Sequence, residues 1–156
     1  VGYFFYMLAV QKIFANIKKL DQNKILVSIL NQKAVKDFII FQNTENQLRL
    51  GLDSKDDLFG LYKSFSYASF KQRNPGRKAK FGVVDLHLTG QFYRSFIIEV
   101  LTDGGFIIDA DTDKGDNDLA EKYGQDIIGL ADRSFEEFID FILPLFIDAT
   151  EKEIFQ

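Results

Sequence analysis

A chain of 156 residues and 17.9 kDa is long enough for one complete core, burying roughly 70% of its unfolded surface. Its 46% hydrophobic, 15% aromatic and 27% charged composition excludes the disordered and collagenous classes. The net charge of -4 argues against nucleic-acid binding over the whole surface, and the absence of cysteine excludes disulfides, thiolate metal sites and cysteine nucleophiles.

The first ten residues, Val1 to Val10, are uncharged and apolar, but they reach only about half the length that spans a bilayer. They also lack a basic n-region. The expectation is no membrane span, and an apolar arm docked on the domain or on a neighbouring subunit. A first residue of Val admits processing, an alternative start codon or initiation at Met7. Leu8, Ile13, Phe14, Ile17 and Leu20 then recur at helical spacing beside Lys12, Lys18 and Lys19, which predicts an amphipathic helix. Ile25 to Leu30 is too short for periodicity to separate helix from buried strand; helix is the preferred reading. Val35, Phe38, Ile39, Phe41 and Leu48 predict a helix over 34–50 with Gly51 as its C-cap.

Residues 51–80 keep no period and carry loop signals at Asp53 to Asp57, Gly60 and Asn74-Pro75-Gly76. They read as a long aromatic and basic loop studded with Tyr62, Phe65, Tyr67 and Phe70, a kind of segment that is usually functional or interacting. Residues 81–110 read as the β-rich core. Val84, Leu86 and Leu88 alternate with Asp85 and His87 as in a half-buried strand. Two further β-rich runs, 96–101 and 106–110, flank Thr102-Asp103-Gly104-Gly105, whose Asp-Gly pair favours the positive φ of a tight hairpin. Leu119 to Tyr123 predicts a short helix ending at Gly124. Phe135, Phe138, Ile139, Ile142 and Phe146 predict a long amphipathic helix over 134–153, opened by a Ser134/Glu137 capping box and kinked by Pro144. These elements make a single α+β domain: a small antiparallel sheet with N-terminal helices and a long C-terminal amphipathic helix.

Catalytic signatures are missing. His87, the single histidine, shares a predicted strand face with Asp85, but no G-x-S-x-G elbow accompanies the pair. Counted from Asp109, the acidic run has Lys114 where a calcium loop needs Gly and Ala120 where it needs Glu. Asn74 to Lys78 is not a phosphate-binding P-loop, and no HExxH occurs. The expectation is a non-enzyme with no metal and no cofactor.

Charge is segregated instead. Lys63, Lys71, Arg73, Arg77, Lys78 and Lys80 lie within eighteen residues that hold no acid. Asp109, Asp111, Asp113, Asp116 and Asp118 begin a stretch to Asp126 with seven acids against two lysines. The basic loop could meet the acidic one across a head-to-tail subunit interface, or it could face phosphates in a small nucleic-acid-binding or regulatory module.

Leu88-Thr89-Gly90-Gln91-Phe92-Tyr93-Arg94-Ser95-Phe96 resembles the L-T-G-x-[LF]-x-x-S segment of the neck and tail-completion proteins of tailed bacteriophages. Upstream, Gly60-Leu61-Tyr62 followed by Tyr67-Ala68 and Lys71 is similar to that family's G-x-x-[YW] and Y-x-x-x-K stretch. Downstream, Leu119 to Gly124, the Ile128-Gly129-Leu130 turn and Pro144 within the last helix are similar to its ending. The collinear matches run from Gly51 to the C-terminus, with Lys122-Tyr123-Gly124-Gln125 standing where the family often has Glu-Phe-Gly-Thr. The resemblance implies a small antiparallel sheet under a long C-terminal helix. It also implies a virion structural protein, made in the host bacterial cytoplasm, that forms a ring on the order of six or twelve copies between portal or neck proteins and the tail, close to packaged DNA. Within its central motif, Thr89 would cap the turn, Gly90 permit the bend, and Phe92 and Phe96 enter the core, leaving Arg94 outside.

Overall fold

The N-terminal third of the chain is helical in the computed structural model, which describes residues 2–155 and side chains from residue 10 onward. Helix α1 spans Gly2–Lys19, so the backbone of the apolar arm continues the first helix. How the arm's side chains dock lies outside the described residues. Asp21 caps α2 (Gln22–Leu30) by accepting the Lys24 N–H at 3.0 Å, which decides the ambiguous 25–30 run for helix. Helix α3 (Lys33–Thr44) stops earlier than its apolar pattern suggests. The Thr44 hydroxyl donates back to the Ile40 carbonyl at 2.7 Å, and after a turn the chain resumes as a 3-10 turn, Leu48–Leu50. Gly51 closes that turn at φ 84 and lies so close to the 83–84 segment that a Cβ would sit 2.2 Å from Val83 Cγ1. Its predicted role as a cap holds, on a different element.

The 51–80 stretch is not a continuous loop. Ser64 accepts the Tyr67 N–H at 3.3 Å and opens helix α4 (Phe65–Gln72). The strand expected over 83–88 is absent: only an isolated bridge joins Leu61 to Val83, and Leu86 takes a left-handed φ of 50. That conformation costs a leucine on the order of 1–3 kcal/mol and breaks the alternation, so Asp85 turns inward while Leu88 is exposed. Gly90, at φ 75, starts the one-turn helix α5 (Gln91–Arg94), which buries Phe92 and leaves Arg94 outside.

Strands β1 (Ile97–Val100) and β2 (Phe106–Asp109) pair antiparallel with Ile98 opposite Ile108. The fold is therefore α+β, with this two-stranded sheet among the described residues. Only Gly104 of the Asp-Gly pair has positive φ. The Gly104 N–H donates to the Leu101 carbonyl and the Leu101 N–H to the Gly105 carbonyl, a type I turn followed by a glycine bulge.

Asp118 caps helix α6 (Leu119–Tyr123) by accepting the Ala120 and Glu121 N–H groups. The chain then passes through a 3-10 turn, Gln125–Ile127, into helix α7 (Asp132–Phe155), which runs on through Pro144. The expected capping box does not form. Ser134 lies two residues inside the helix with its buried hydroxyl unpartnered, and Glu137 reaches instead to Gln42 of α3 at 2.9 Å.

Two apolar cores result among the described residues. The first joins Ile25, Ile29 and Leu30 of α2, Val35 and Ile39 of α3 and Ile98 of β1 to Phe138 and Ile142 of α7. Stacking of Phe38 on Phe141, with centroids 4.1 Å apart, fixes the crossing of α3 and α7. Each such side chain contributes about 1.5–3 kcal/mol on full burial. The second core is Leu48, Phe92, Phe96 and Ile127.

A polar clamp on α3 and the turn after it ties these cores together. Asn43 donates to the Ile127 carbonyl at 3.2 Å and accepts the Gly129 N–H at 2.8 Å. Gln47 donates to the Gly129 carbonyl at 3.0 Å and accepts the Ala131 N–H at 3.0 Å. Asn43→Ala strands two backbone groups at about 1–3 kcal/mol each, and a loss of about 3 kcal/mol is expected in urea unfolding. An unchanged midpoint would show that the turn is held by other contacts.

Candidate functional site

Asp85 is the centre of the most distinctive polar arrangement in the fold. It is 2% exposed, carried inward by the left-handed Leu86 that follows it. Lys71 of α4 places Nζ 2.8 Å from Oδ1, and Arg77 donates from Nη1 to Oδ2 at 2.7 Å. The Tyr62 hydroxyl and the His87 backbone N–H each approach Oδ1 at 3.2 Å. Lys71 and Arg77 together carry one positive charge more than Asp85 can neutralise, so their remaining donors need acceptors in the interior. Lys71 finds the His87 carbonyl. Arg77 finds the carbonyls of Val83 and Lys80 and the Gln72 side chain. The Tyr93 hydroxyl donates to the Asp85 carbonyl. The Asp85 carboxylate thus pins α4, the 73–83 loop and the 83–88 segment together, and its backbone carbonyl adds α5.

The electrostatics follow from this packing. Burial by itself raises the Asp85 pKa, but the Lys71 hydrogen bond and charge, the His87 N–H and the Arg77 charge outweigh it, and the carboxyl is held below its ordinary value. Burial, then the adjacent Asp85 charge, pushes the Tyr62 and Tyr93 phenols well above theirs. Burial, then the Arg49 guanidinium, lowers His87, leaving a neutral ring at pH 7. Where the unfolded chain binds more protons than the folded one, stability falls as pH drops. His87 therefore contributes stability that is lost as pH falls below the ordinary histidine value, and Asp85 stability that is lost only below the ordinary carboxylate value. In urea titrations from neutral pH downward, His87→Gln should remove the first decrement and Asp85→Asn the second. A profile identical in both variants and the parent would contradict this assignment.

His87 and Asp85, which strand alternation places on one face, form no orienting pair. Their link is through the His87 backbone N–H, while the imidazole packs edge-on against Tyr93 with centroids 4.9 Å apart. The basic segment also differs from a uniformly exposed strip. Lys71 and the Arg77 side chain are buried on Asp85, so neither reaches a partner chain or DNA. Lys78 pairs with Glu45 at 3.2 Å, and Lys63, Arg73 and Lys80 are exposed.

The acidic segment is occupied locally. Asp109 accepts the Ala110 N–H, Asp111 the Asp113 N–H, and Asp113 the Gly115 N–H. Asp118 caps α6, and Asp116 is exposed. Among the described residues no group of three or more His, Asp or Glu converges as a metal site, and no helix is long and apolar enough to cross a membrane. Of the central motif, Leu88 and Thr89 are exposed, Gly90 makes the bend and Phe92 is in the core. Ser95 donates to the Phe92 carbonyl at 2.7 Å and accepts the Asp111 N–H at 3.0 Å.

Around the Asp85 cluster the surface is apolar and aromatic. Tyr62 packs on Tyr67 and Tyr67 on Phe70, with centroids 5.0 and 5.9 Å apart, and Phe65 packs on Phe81 at 5.6 Å. Phe65 is nonetheless 76% exposed and Leu61 67%. Beside this shelf opens a cleft of 650 Å³ reached by residues 59–64, α4, 84–88 and α6. Comparison with protein-family models, curated proteins and solved structures finds no match to this chain.

Proposed function

We propose that the chain is a structural subunit that closes into a homomeric ring, as the resemblance to phage neck and tail-completion proteins implies, and that it joins portal or neck proteins to the tail of a virion. The observation that carries this reading is a pair of unlike exposed apolar surfaces. One is the shelf of Leu61, Phe65, Phe70 and Phe81. The other is a stripe at fourfold spacing along α7, formed by Phe135, Ile139, Leu143 and Ile147.

A ring is built from a heterologous contact, in which one patch of each copy meets a different patch of the next. Two distinct apolar patches supply what that contact needs, and large exposed apolar patches mark interaction sites in soluble proteins. The stripe lies on a helix whose other face fills the first core with α2 and α3, so its backbone is held rigid. The shelf is anchored from beneath by Lys71, Arg77 and Tyr62 on Asp85. Preorganised surfaces lose less entropy on association.

Charge plays a smaller part than its distribution along the chain suggests, because Lys71 and Arg77 are consumed internally and most of the acids are engaged in local turns. Mass measurement on purified virions tests the reading: the chain should be present in particles as a ring. Absence from particles would sink it.

A further inference from the structure

The cleft beside the aromatic shelf differs in charge from the rest of this acidic protein. Of the side chains that line it, Lys63, Lys71 and Lys122 are cationic and none is a carboxylate. Lys71 lies at depth, bound to Asp85 and the His87 carbonyl. Lys63 and Lys122 are exposed at the rim, and neither makes an ion pair among the described residues. Elsewhere some exposed lysines pair, Lys33 with Asp37, Lys55 with Asp126 and Lys152 with Asp148, whereas these two leave their charge available to a ligand.

Aromatic rings supply the other half of the lining. Tyr62 and Tyr67 come from one side of the sequence, and Tyr123 from α6, where it packs edge-on to Phe59 at 5.8 Å. Lys122 Nζ lies 5.2 Å from the Tyr123 ring centre, so a cation and a ring face already adjoin. Gly60 lets the Tyr123 ring lie close against the 59–61 segment, since a Cβ there would crowd it at 3.1 Å. The volume of 650 Å³ lies in the usual range for small-molecule sites, about 300–1,000 Å³.

Rings that stack, cations at the rim and no competing carboxylate match a ligand with a flat ring and a phosphate. We propose that this cleft binds a nucleotide, with the base against Tyr67 and Tyr123 and the phosphate on Lys63 and Lys122. The site is distinct from a basic strip over 63–80, because it recruits Lys122 and the tyrosines and leaves out Arg73, Lys78 and Lys80. It does not depend on the ring reading. The chemistry is shared by a free mononucleotide and by one residue of a single-stranded nucleic acid.

Calorimetry with AMP, inorganic phosphate and oligothymidylate at low salt tests the proposal on the full chain. AMP should bind more tightly than phosphate. The Lys63→Glu/Lys122→Glu variant, altered only at exposed positions, should lose at least about tenfold in AMP affinity, and Tyr67→Leu roughly fivefold or more. Lys33→Glu, on α3, should bind as the parent does, and unchanged melting temperatures would show that each variant is folded. Oligothymidylate far tighter than AMP assigns the site to single strands, and comparable affinities assign it to free nucleotides. The proposal is overturned if neither AMP nor oligothymidylate binds, if phosphate binds as well as AMP, or if the double charge reversal leaves affinity unchanged.

Discussion

Asp85→Ala is expected to lower the unfolding free energy by about 3–5 kcal/mol, the cost of removing one partner from a buried ionic cluster. The size follows from what would be left behind. Lys71, 1% exposed, and the Arg77 guanidinium would both stay buried without a counter-ion, and the Tyr62 hydroxyl would lose its acceptor. In a domain of this size each kcal/mol moves the melting temperature by roughly 2–4 °C, so the drop should be on the order of 10 °C. Lys71→Met/Arg77→Leu/Asp85→Leu, which removes all the charges together, should recover much of the loss. A single-variant loss under about 1 kcal/mol would mean that water reaches the cluster and that it does not hold the shelf in place.

Leu61→Asp/Phe65→Ser should have the opposite profile, with little effect on the folded monomer and a large effect on assembly. Both side chains are mostly exposed, so the isolated chain should change by no more than about 0.5 kcal/mol. A central aromatic anchor at an interface is worth at least about 2 kcal/mol, which is roughly thirtyfold in the association constant per contact, and a ring repeats the contact at every subunit. Sedimentation velocity should show the parent's large species replaced by monomer with an unchanged melting temperature. Assembly as strong as the parent's would remove the shelf from the interface.

Long periodic elements and local turn chemistry were legible in the sequence. The α7 pattern from Phe135 to Phe146 spans several turns, and the hairpin and the short α6 helix are bounded by Asp and Gly whose roles are local. What depends on distant partners was not. Asp85 sits in the apolar run Val83 to Leu88, and alternation assigns such an acid to solvent. It is buried because Lys71 and Arg77, contributed by the preceding helix and loop, arrive at the same point. A signal did exist: Asp85 is the first acid after eighteen residues that contain six bases and none of their counter-ions.

The capping reading of Ser134 failed for a related reason. Gln42, Asn43 and Gln47 compete for the groups around the start of α7, and Gln42 takes Glu137 away from the helix end. Nothing within α7 itself reveals that competition. The aromatic residues of 51–80 read as a functional or interacting loop, but the helix within it opens at Ser64, whose cap is a single short-range hydrogen bond without an apolar period behind it.

Mass photometry of the purified chain over a concentration series decides whether it closes into a ring. One closed species is expected, a fixed multiple of the 17.9 kDa subunit, that grows at the expense of monomer and is abolished by Leu61→Asp/Phe65→Ser. A monomer at every concentration, or an open-ended ladder of masses with no preferred closure, would contradict it.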